Sequence, residues 1–534
     1  MADRTVRDAT FDVLRRRGLT TLFANPGSTE ISLLSGLPDD LRFVLALHES
    51  AVVGLATGWA IARDEPTLAI LHTTAGLGNA VGALATARVN RAPLVVLVGQ
   101  QDRRHLAQEP FLAGRLHGLA GEYPVWIDQP VRPQDVPGAV SRAYHEATTG
   151  RGPALVIVPM DDWLVAAPER HEETAPARVV RGLRPEPQSL DELVALLDGA
   201  ALPTLVVGAG ADDADTWTAL VALSERLMCP VWQEPFGGRA GFPQDHPHFA
   251  GHLPFDRTRL RKTLAPHDVV LVVGTAVLRQ YPYEPGPLVE NGTRVAVVSQ
   301  DPAEIHRSPA DFAVLASPAA TAALLADRVA ARASPPPESF ARPAPPTPPA
   351  SGEPLRAGHL LAALAERLPA DAVLIEEAPS NRPELHARIP ARKPLGFVSA
   401  AMGGLGFALP AAAGMRMANP ERPVVAVVGD GACVFGAQAL WSAAHYKAGA
   451  LYIVLANGGY AVMDRLAESA GGGPWPGFDV DISGLAQSFG CAARRIEEHD
   501  DLIRTLDEVL PGLAARTEPL LLELVVVPDE SFAA

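Results

Sequence analysis

An aspartate and an asparagine follow two neighbouring apolar segments in the last third of the chain. Asp430 lies between Gly429 and Gly431, at the end of an apolar segment. Asn457 follows the next apolar segment, 27 residues later. Taken singly, each residue is typical of an ordinary turn. Brought together, a carboxylate and an amide oxygen are ligands for a hard cation such as Mg²⁺.

The glycines around these residues indicate that an anion binds beside the cation. Gly429 and Gly431 leave room for backbone N–H groups to approach an anion closely. The N-terminus of a following helix also attracts negative charge. A backbone carbonyl of the Gly458–Gly459 turn would add a further oxygen ligand. Mg²⁺ next to an anion-binding backbone indicates a bound diphosphate group.

A strand–helix–strand unit would bring Asp430 and Asn457 together. The segments 423–428 and 450–455 are continuously apolar, and the segment 436–446 between them is typical of a helix. Apolar segments without alternation predict parallel strands that are covered on both faces. Ligands bind beyond the carboxyl ends of such strands, which is where both residues stand.

The same pattern recurs along the whole chain. Further strands are predicted at 67–71, 93–98, 203–207, 269–273 and 519–527, and a further helix at 79–89. Two proline-bearing segments, 166–187 and 334–354, predict linkers. We therefore predict an α/β protein of three domains, 1–165, 188–333 and 355–534, each with a parallel sheet flanked by helices.

Composition excludes several classes of function. The 534 residues carry 61 acidic and 45 basic side chains, a formal charge of −16, which disfavours nucleic acid as a partner. The three cysteines, Cys229, Cys433 and Cys491, cannot form a disulfide framework or a four-thiolate zinc site. No apolar segment is long enough to span a membrane, and the first residues lack a signal-peptide core, so we expect a cytoplasmic protein.

These features resemble the thiamine diphosphate enzymes of the decarboxylase and acetohydroxyacid-synthase-like superfamily, above all the benzoylformate decarboxylases. Besides the Asp430–Asn457 pair, the matching segments are 25–30 (NPGSTE), 45–54 (LALHESAVVG), 71–84, 161–163 (DDW) and 403–412 (GGLGFALPAA). The resemblance implies a pyrimidine-binding domain, a middle domain and a diphosphate-binding domain, in that order. It also implies thiamine diphosphate and Mg²⁺ as cofactors.

The resemblance implies a catalytic role for three residues of the first domain. Glu49 matches the glutamate that hydrogen-bonds N1′ of the aminopyrimidine and so activates the cofactor. Its place in a helix that is apolar nearly all round supports this role, since an unused charge there would be costly. Ser28 and His72 match a polar pair near the reacting carbon. His72 would transfer a proton, and Ser28 would donate to the substrate carboxylate.

The diphosphate-binding domain supplies the other implied cofactor contacts. Leu405 matches the bulky residue that props the cofactor into its bent form, although plain core packing would also explain it. The Gly403 carbonyl would accept from the amino group of the cofactor. The remaining cofactor-binding residues are Ser380, Gly429, Asp430, Gly431, Ala432, Asn457 and Tyr460, and the metal ligands are Asp430, Asn457 and Gly459.

Some positions depart from the family pattern. Tyr281, in the segment 279–286, stands where benzoylformate decarboxylases carry a second active-site histidine, and tyrosine is a much weaker acid than imidazolium. The substrate-pocket positions are Phe111, Leu112, Val398 and Leu466; all but Leu112 differ in type from that family. We therefore expect a reshaped pocket.

The prediction is a thiamine diphosphate-dependent decarboxylase that converts a 2-oxo acid, benzoylformate or a related compound, to an aldehyde and CO₂. A carboligase that forms a 2-hydroxyketone is the alternative, and Tyr281 favours it modestly. A catalytically silent cofactor-binding subunit is a third possibility, against which the intact Glu49 argues. In the family the site lies between two subunits, so we expect self-association as a dimer or tetramer.

Overall fold

A computed structural model describes residues 4–167, 176–180 and 182–528. It contains three six-stranded sheets, each with all of its strands parallel and with helices on its faces, so the predicted fold class is confirmed. The linker predicted over 166–187 lies partly outside the described residues, and the three domain limits remain predictions. No helix among the described residues is long and apolar enough to cross a membrane.

The first sheet has the strand order β2-β1-β3-β4-β6-β5. Its strands are β1 (Thr21–Ala24), β2 (Arg42–Leu45), β3 (Thr67–Leu71), β4 (Leu94–Gln100), β5 (Trp126–Asp128) and β6 (Pro153–Pro159). The helices of this part are α1 (Val6–Arg16), α2 (Ile31–Leu34), α3 (Glu49–Arg63), α4 (Thr73–Val89) and α5 (Val136–Gly150). The central strands β3 and β4 are buried along their whole length, as their continuous apolar sequences predict.

The second sheet has the order β12-β11-β10-β7-β8-β9. Its strands are β7 (Pro203–Val207), β8 (Val231–Gln233), β9 (Phe249–His252), β10 (Val269–Val273), β11 (Arg294–Ser299) and β12 (Phe312–Leu315). The helices are α6 (Pro187–Gly199), α7 (Ala214–Leu227), α8 (Arg257–Leu264), α9 (Pro302–His306) and α10 (Pro318–Arg328). The strands predicted at 203–207 and 269–273 have the predicted bounds.

The third sheet has the order β14-β13-β15-β16-β18-β17. Its strands are β13 (Val373–Glu377), β14 (Phe397–Ser399), β15 (Val424–Gly429), β16 (Leu451–Ala456), β17 (Ala492–Ile496) and β18 (Leu520–Val525). The helices are α11 (Ala357–Arg367), α12 (Arg382–Arg388), α13 (Ala408–Ala418), α14 (Asp430–Gly436), α15 (Ala439–His445), α16 (Ala461–Ser469), α17 (Ile482–Ser488) and α18 (His499–Val509).

The single helix predicted over 436–446 is wrong in its bounds. The chain turns into α14 directly at Asp430, ends that helix at Gly436 and begins α15 at Ala439. The break coincides with Gly436, and glycine has a low helix propensity. The apolar pattern predicted only the second of the two helices. Helix α14 was missed because it begins at the polar residue Asp430, directly after β15.

Helices α3 and α13 join the first and third domains by a close backbone contact. A Cβ added at Gly58 of α3 would lie 2.2 Å from the carbonyl oxygen of Ala411, and one at Gly414 of α13 would lie 2.0 Å from that of Leu55. Only glycine permits so close an approach. This contact explains why α3 is apolar nearly all round, and it anchors the helix whose first residue is Glu49.

Candidate active site

Asp430 and Asn457 meet at the carboxyl edge of the third sheet. Strands β15 and β16 are parallel neighbours, with Gly429 opposite Leu455. The Asp430 carboxylate accepts the backbone N–H of Asn457 at 2.9 Å and that of Gly458 at 2.7 Å. Its other oxygen accepts the Gly431 N–H at 2.8 Å. The structure therefore brings together the two residues that the sequence pattern paired.

The oxygen atoms at this edge fit a hard cation. Burial raises the pKa of Asp430, while the three backbone N–H bonds act in the opposite direction. Among the described residues no group of three or more His, Cys, Asp or Glu could hold a metal ion. A cation here would be held by the Asp430 carboxylate, the Asn457 amide oxygen and neutral or ligand oxygens. That composition suits Mg²⁺, which is bound through few carboxylates together with phosphate oxygens.

The space beside these residues fits an anion. A Cβ added at Gly429 or Gly459 would meet no atom closer than 3.9 Å, so both backbones border open space. The neighbouring pocket is lined by Ser380, Asn381, Asn457, Ala461, Arg465, Val526, Val527 and Pro528. Ser380 Oγ accepts the backbone N–H of Val462 at 3.2 Å, in the first turn of α16. A helix N-terminus with these polar side chains is a suitable surface for a diphosphate.

Two predicted cofactor residues contact each other. A Cβ added at Gly431 would lie 2.3 Å from Cε1 of Tyr460, so the glycine makes room for the tyrosine ring. Tyr460 also packs edge-on against Phe478, with 5.3 Å between the ring centroids. Ala432 is buried within α14. The glycine at 431 thus has a packing role as well as the proposed role in anion binding.

The loop 403–407 is held by a carboxyl group that the sequence patterns did not single out. Glu377, at the end of β13, accepts the backbone N–H groups of Gly406, Phe407 and Ala408. Burial raises the pKa of Glu377 to about 8, and these three hydrogen bonds oppose that shift. The Glu377 side chain therefore fixes the loop that carries Leu405, which is partly buried against the core. The available sequence signal was a pair of glutamates, Glu376 and Glu377, at the end of an otherwise apolar segment.

Glu49 begins α3 and has only 8% of its surface exposed. Its two carboxylate oxygens are occupied by amides: Asn25 Nδ2 donates to Oε1 at 3.0 Å, and Asn79 Nδ2 donates to Oε2 at 3.2 Å. Neither asparagine was singled out from the sequence, although both lie in segments that matched the family. Two neutral donors hold the carboxylate in place without adding an opposite charge.

His72 lies beside Glu49. A Cβ added at Gly76 would lie 3.2 Å from the Cβ of His72 and 3.6 Å from the Cγ of Glu49, so the two side chains flank this glycine. The Nδ1 atom of His72 lies 2.9 Å from Thr29 Oγ1 and 3.0 Å from a carboxylate oxygen of Glu30. Ser28 is exposed at the start of the short 3-10 helix Ser28–Glu30.

The predicted pocket residues have different surroundings in the single chain. Phe111 is 88% exposed, and Leu112, which has a φ of 66°, is 37% exposed. Leu466 is half-buried on α16, whereas Val398 is fully buried in β14. Tyr281 is 68% exposed. Their joint role in a substrate pocket remains a prediction.

Comparisons with known proteins match the order of the three sheets. The family described as thiamine pyrophosphate enzyme matches with its N-terminal TPP binding domain at residues 4–118, its central domain at 190–325 and its C-terminal TPP binding domain at 383–524. The benzoylformate decarboxylase of Pseudomonas aeruginosa is 37% identical over 98% of both chains. The acetolactate synthase large subunit of Parasynechococcus marenigrum is 28% identical over 94% of this chain and 85% of its own.

A solved structure agrees with this assignment. The thiamine diphosphate-dependent 4-hydroxybenzoylformate decarboxylase of Rhodococcus jostii superimposes with a TM-score of 0.92 at 36% identity, covering 99% of this chain and 100% of its own. The chain thus matches these relatives in sequence and in fold over nearly its whole length. The chain therefore belongs to the thiamine pyrophosphate enzymes, with both cofactor-binding domains and the central domain present.

Proposed function

We propose that this chain is a thiamine diphosphate- and Mg²⁺-dependent decarboxylase of a 2-oxo acid related to benzoylformate. Two relatives named as decarboxylases of benzoylformate or its 4-hydroxy derivative match it over nearly the whole chain. The observation that carries the proposal is the buried Glu49 carboxylate with His72 next to it across Gly76. Glu49 can hold a proton at the cofactor, and His72 can transfer a proton at the substrate.

Each residue has a distinct task in this proposal. Thiamine diphosphate, when bound, would supply the electron sink for the electron pair that departing CO₂ leaves behind. Glu49 holds a proton at the pyrimidine ring, and the amides of Asn25 and Asn79 keep its carboxylate in place. His72 transfers a proton at the reacting carbon. The Ser28 hydroxyl donates a hydrogen bond to the substrate carboxylate.

The third domain holds the other end of the cofactor. Asp430, Asn457 and the Gly459 carbonyl would hold Mg²⁺, and the backbone near Gly429 together with Ser380 would hold the diphosphate. The Gly403 carbonyl and the Leu405 side chain would contact the pyrimidine end of the cofactor. Glu377 keeps the loop of Gly403 and Leu405 in place through its backbone hydrogen bonds.

Release of CO₂ from a series of 2-oxo acids tests this function. Purified protein with thiamine diphosphate and Mg²⁺ is given aromatic, branched and short 2-oxo acids, and kcat/KM is measured for each. We expect aromatic 2-oxo acids to be the best substrates and the corresponding aldehyde to be the product. Failure to release CO₂ from any 2-oxo acid would support the silent-subunit alternative and refute the proposal.

A carboligase is the second candidate, because Tyr281 replaces an active-site histidine of the benzoylformate decarboxylases. Tyrosine has an ordinary pKa near 10 and delivers a proton less readily than imidazolium. Slow protonation would leave time for a second carbonyl compound to react. Tyr281→His should therefore raise the ratio of aldehyde to 2-hydroxyketone by about 100-fold, the lower end of the range of general acid catalysis. An unchanged product ratio, measured by chromatography, would remove Tyr281 from the mechanism.

We further propose that two copies of the chain complete each site. Glu49 and Asp430 belong to different domains, and apolar side chains close to each of them in sequence are exposed. Phe435 of α14 is 58% exposed and Met402, next to the loop 403–407, is 45% exposed. Leu47, two residues before Glu49, is 40% exposed. Exposed apolar side chains near both Glu49 and Asp430 are typical of a surface that a second copy covers.

Mixing two inactive variants tests the shared site. A dimer of one Glu49→Gln chain and one Asp430→Ala chain has one intact site only if each site takes Glu49 from one chain and Asp430 from the other. Unfolding and refolding the variants together should then restore roughly a quarter of wild-type activity, since half of the dimers would be mixed. Each variant refolded alone is the control. No recovery in the mixture would mean that both residues serve a site within one chain.

A further inference from the structure

Glu30 is a buried carboxylate with one ionisable partner. Only 2% of its surface is exposed. It accepts the backbone N–H of Gly27 at 2.7 Å, bonds to the hydroxyl of Thr29 and lies 3.0 Å from Nδ1 of His72. Among the ion pairs of the described residues, His72 is its partner, 42 residues away in sequence. Burying a carboxylate is costly, so this position requires an explanation.

The hydrogen bond determines which nitrogen of His72 carries the proton. An ionised carboxylate can only accept hydrogen bonds, so Nδ1 must donate to it. In the neutral ring the other nitrogen, Nε2, is then the one that lacks a hydrogen. Since Nδ1 is occupied by Glu30 and Thr29, Nε2 is the atom that remains for exchange with another group.

Packing keeps the pair in this arrangement. A Cβ added at Gly27 would lie 2.5 Å from Nδ1 of His72, and one at Gly99 of β4 would lie 1.8 Å from Oε1 of Glu30. Glycines at 27 and 99 therefore allow the backbone to close on both members of the pair. A histidine enclosed in this way has little freedom to turn its ring over.

We propose that Glu30 is a positioning residue that acts through His72. It holds the imidazole with the proton on Nδ1, so that Nε2 is the nitrogen that exchanges a proton in the decarboxylation. Its negative charge also stabilises the ring when Nε2 takes up a proton. The inference rests on the proposed function, because His72 transfers a proton only in that reaction. A purely structural role, in which Glu30 only caps the Gly27 N–H, makes different predictions.

A double-mutant cycle separates the two roles. Glu30→Gln keeps an oxygen for the Gly27 N–H but removes the charge. We expect kcat to fall about 10- to 100-fold, the range known for partners that orient the histidines of metal sites. In the His72→Ala background the same change should alter kcat less than about twofold, because residues that act through one another are not additive. Equal fold-losses in both backgrounds would overturn the proposal and leave the decarboxylase function standing.

Two controls make the result interpretable. Asp162 is a buried carboxylate of the same domain, paired with Arg103. Asp162→Asn should lower the melting temperature, leave kcat of the folded enzyme unchanged, and have the same effect with and without His72. ¹⁵N NMR of the histidine rings, with His72→Ala to assign the signal, reads the tautomer without any turnover. We expect the Nδ1–H form in the wild type and a mixture in Glu30→Ala.

The outcomes separate the positioning role of Glu30 from the proposed decarboxylase function. An Nε2–H tautomer of His72 in the wild type would refute the positioning role whatever the activity. The Nδ1–H form that depends on Glu30, in a protein that decarboxylates no 2-oxo acid, would refute the proposed function and keep the role of Glu30 in fixing the ring. Full activity of His72→Ala would overturn the catalytic part of the inference.

Discussion

Glu49→Gln should lower kcat by about 10²- to 10⁴-fold, the range expected for removal of a group that moves a proton in the reaction. Glutamine has nearly the same size, and Asn25 and Asn79 can each turn an amide to pair with it. The fold of α3 should therefore survive. The lost property is the acidic proton that a carboxyl group shares with the pyrimidine ring and an amide does not.

The measurements for this variant separate chemistry from binding. Isothermal calorimetry should give a thiamine diphosphate affinity within about tenfold of wild type, since a single neutral hydrogen bond contributes about 1 kcal/mol. Glu65→Gln, an exposed glutamate that follows the same helix, is the matched control and should keep full activity. If Glu49→Gln also kept full activity, the role proposed for Glu49 would be wrong.

The sequence predicted those parts of the site that depend on short-range patterns. Asp430 and Asn457 each follow a buried strand, and the rule that ligands bind at the carboxyl ends of parallel strands placed them together. The structure brings them within hydrogen-bonding distance through the Asn457 N–H. The fold class followed from the same apolar segments, which form the central strands of the three sheets.

The partners that hold the site residues could not be predicted in this way. Glu30 contacts a histidine 42 residues away, and Glu377 binds N–H groups 29 to 31 residues away. No local pattern records such contacts, because they depend on how separate loops meet at a sheet edge. Gly431 shows the same limit. The sequence predicts that the missing side chain leaves room for an anion, whereas in the structure the Tyr460 ring fills part of that room.

Asp430→Ala should lower the Mg²⁺-dependent affinity for thiamine diphosphate by about 100-fold or more, equivalent to about 2.7 kcal/mol. The proposed metal site has one carboxylate, and the anion beside it increases the need for the cation. The variant also loses acceptors for the N–H groups of Gly431, Asn457 and Gly458, so part of the loss would come from the backbone itself.

Asp430→Asn separates the metal from the backbone. Its one oxygen can accept the N–H groups of Asn457 and Gly458, but its NH₂ group then faces the Gly431 N–H and the charge is lost. We therefore expect an affinity and a melting temperature between those of the wild type and Asp430→Ala. Calorimetric titration with thiamine diphosphate, with Mg²⁺ and with a chelator, gives the dependence on the cation. Asp481→Asn, which alters the carboxylate that caps α17 in the same domain, should leave that dependence unchanged. If Asp430→Ala bound the cofactor as tightly as wild type in Mg²⁺, the cation would have to lie elsewhere. The buried carboxylate would then serve only to tie β15 to the turn after β16.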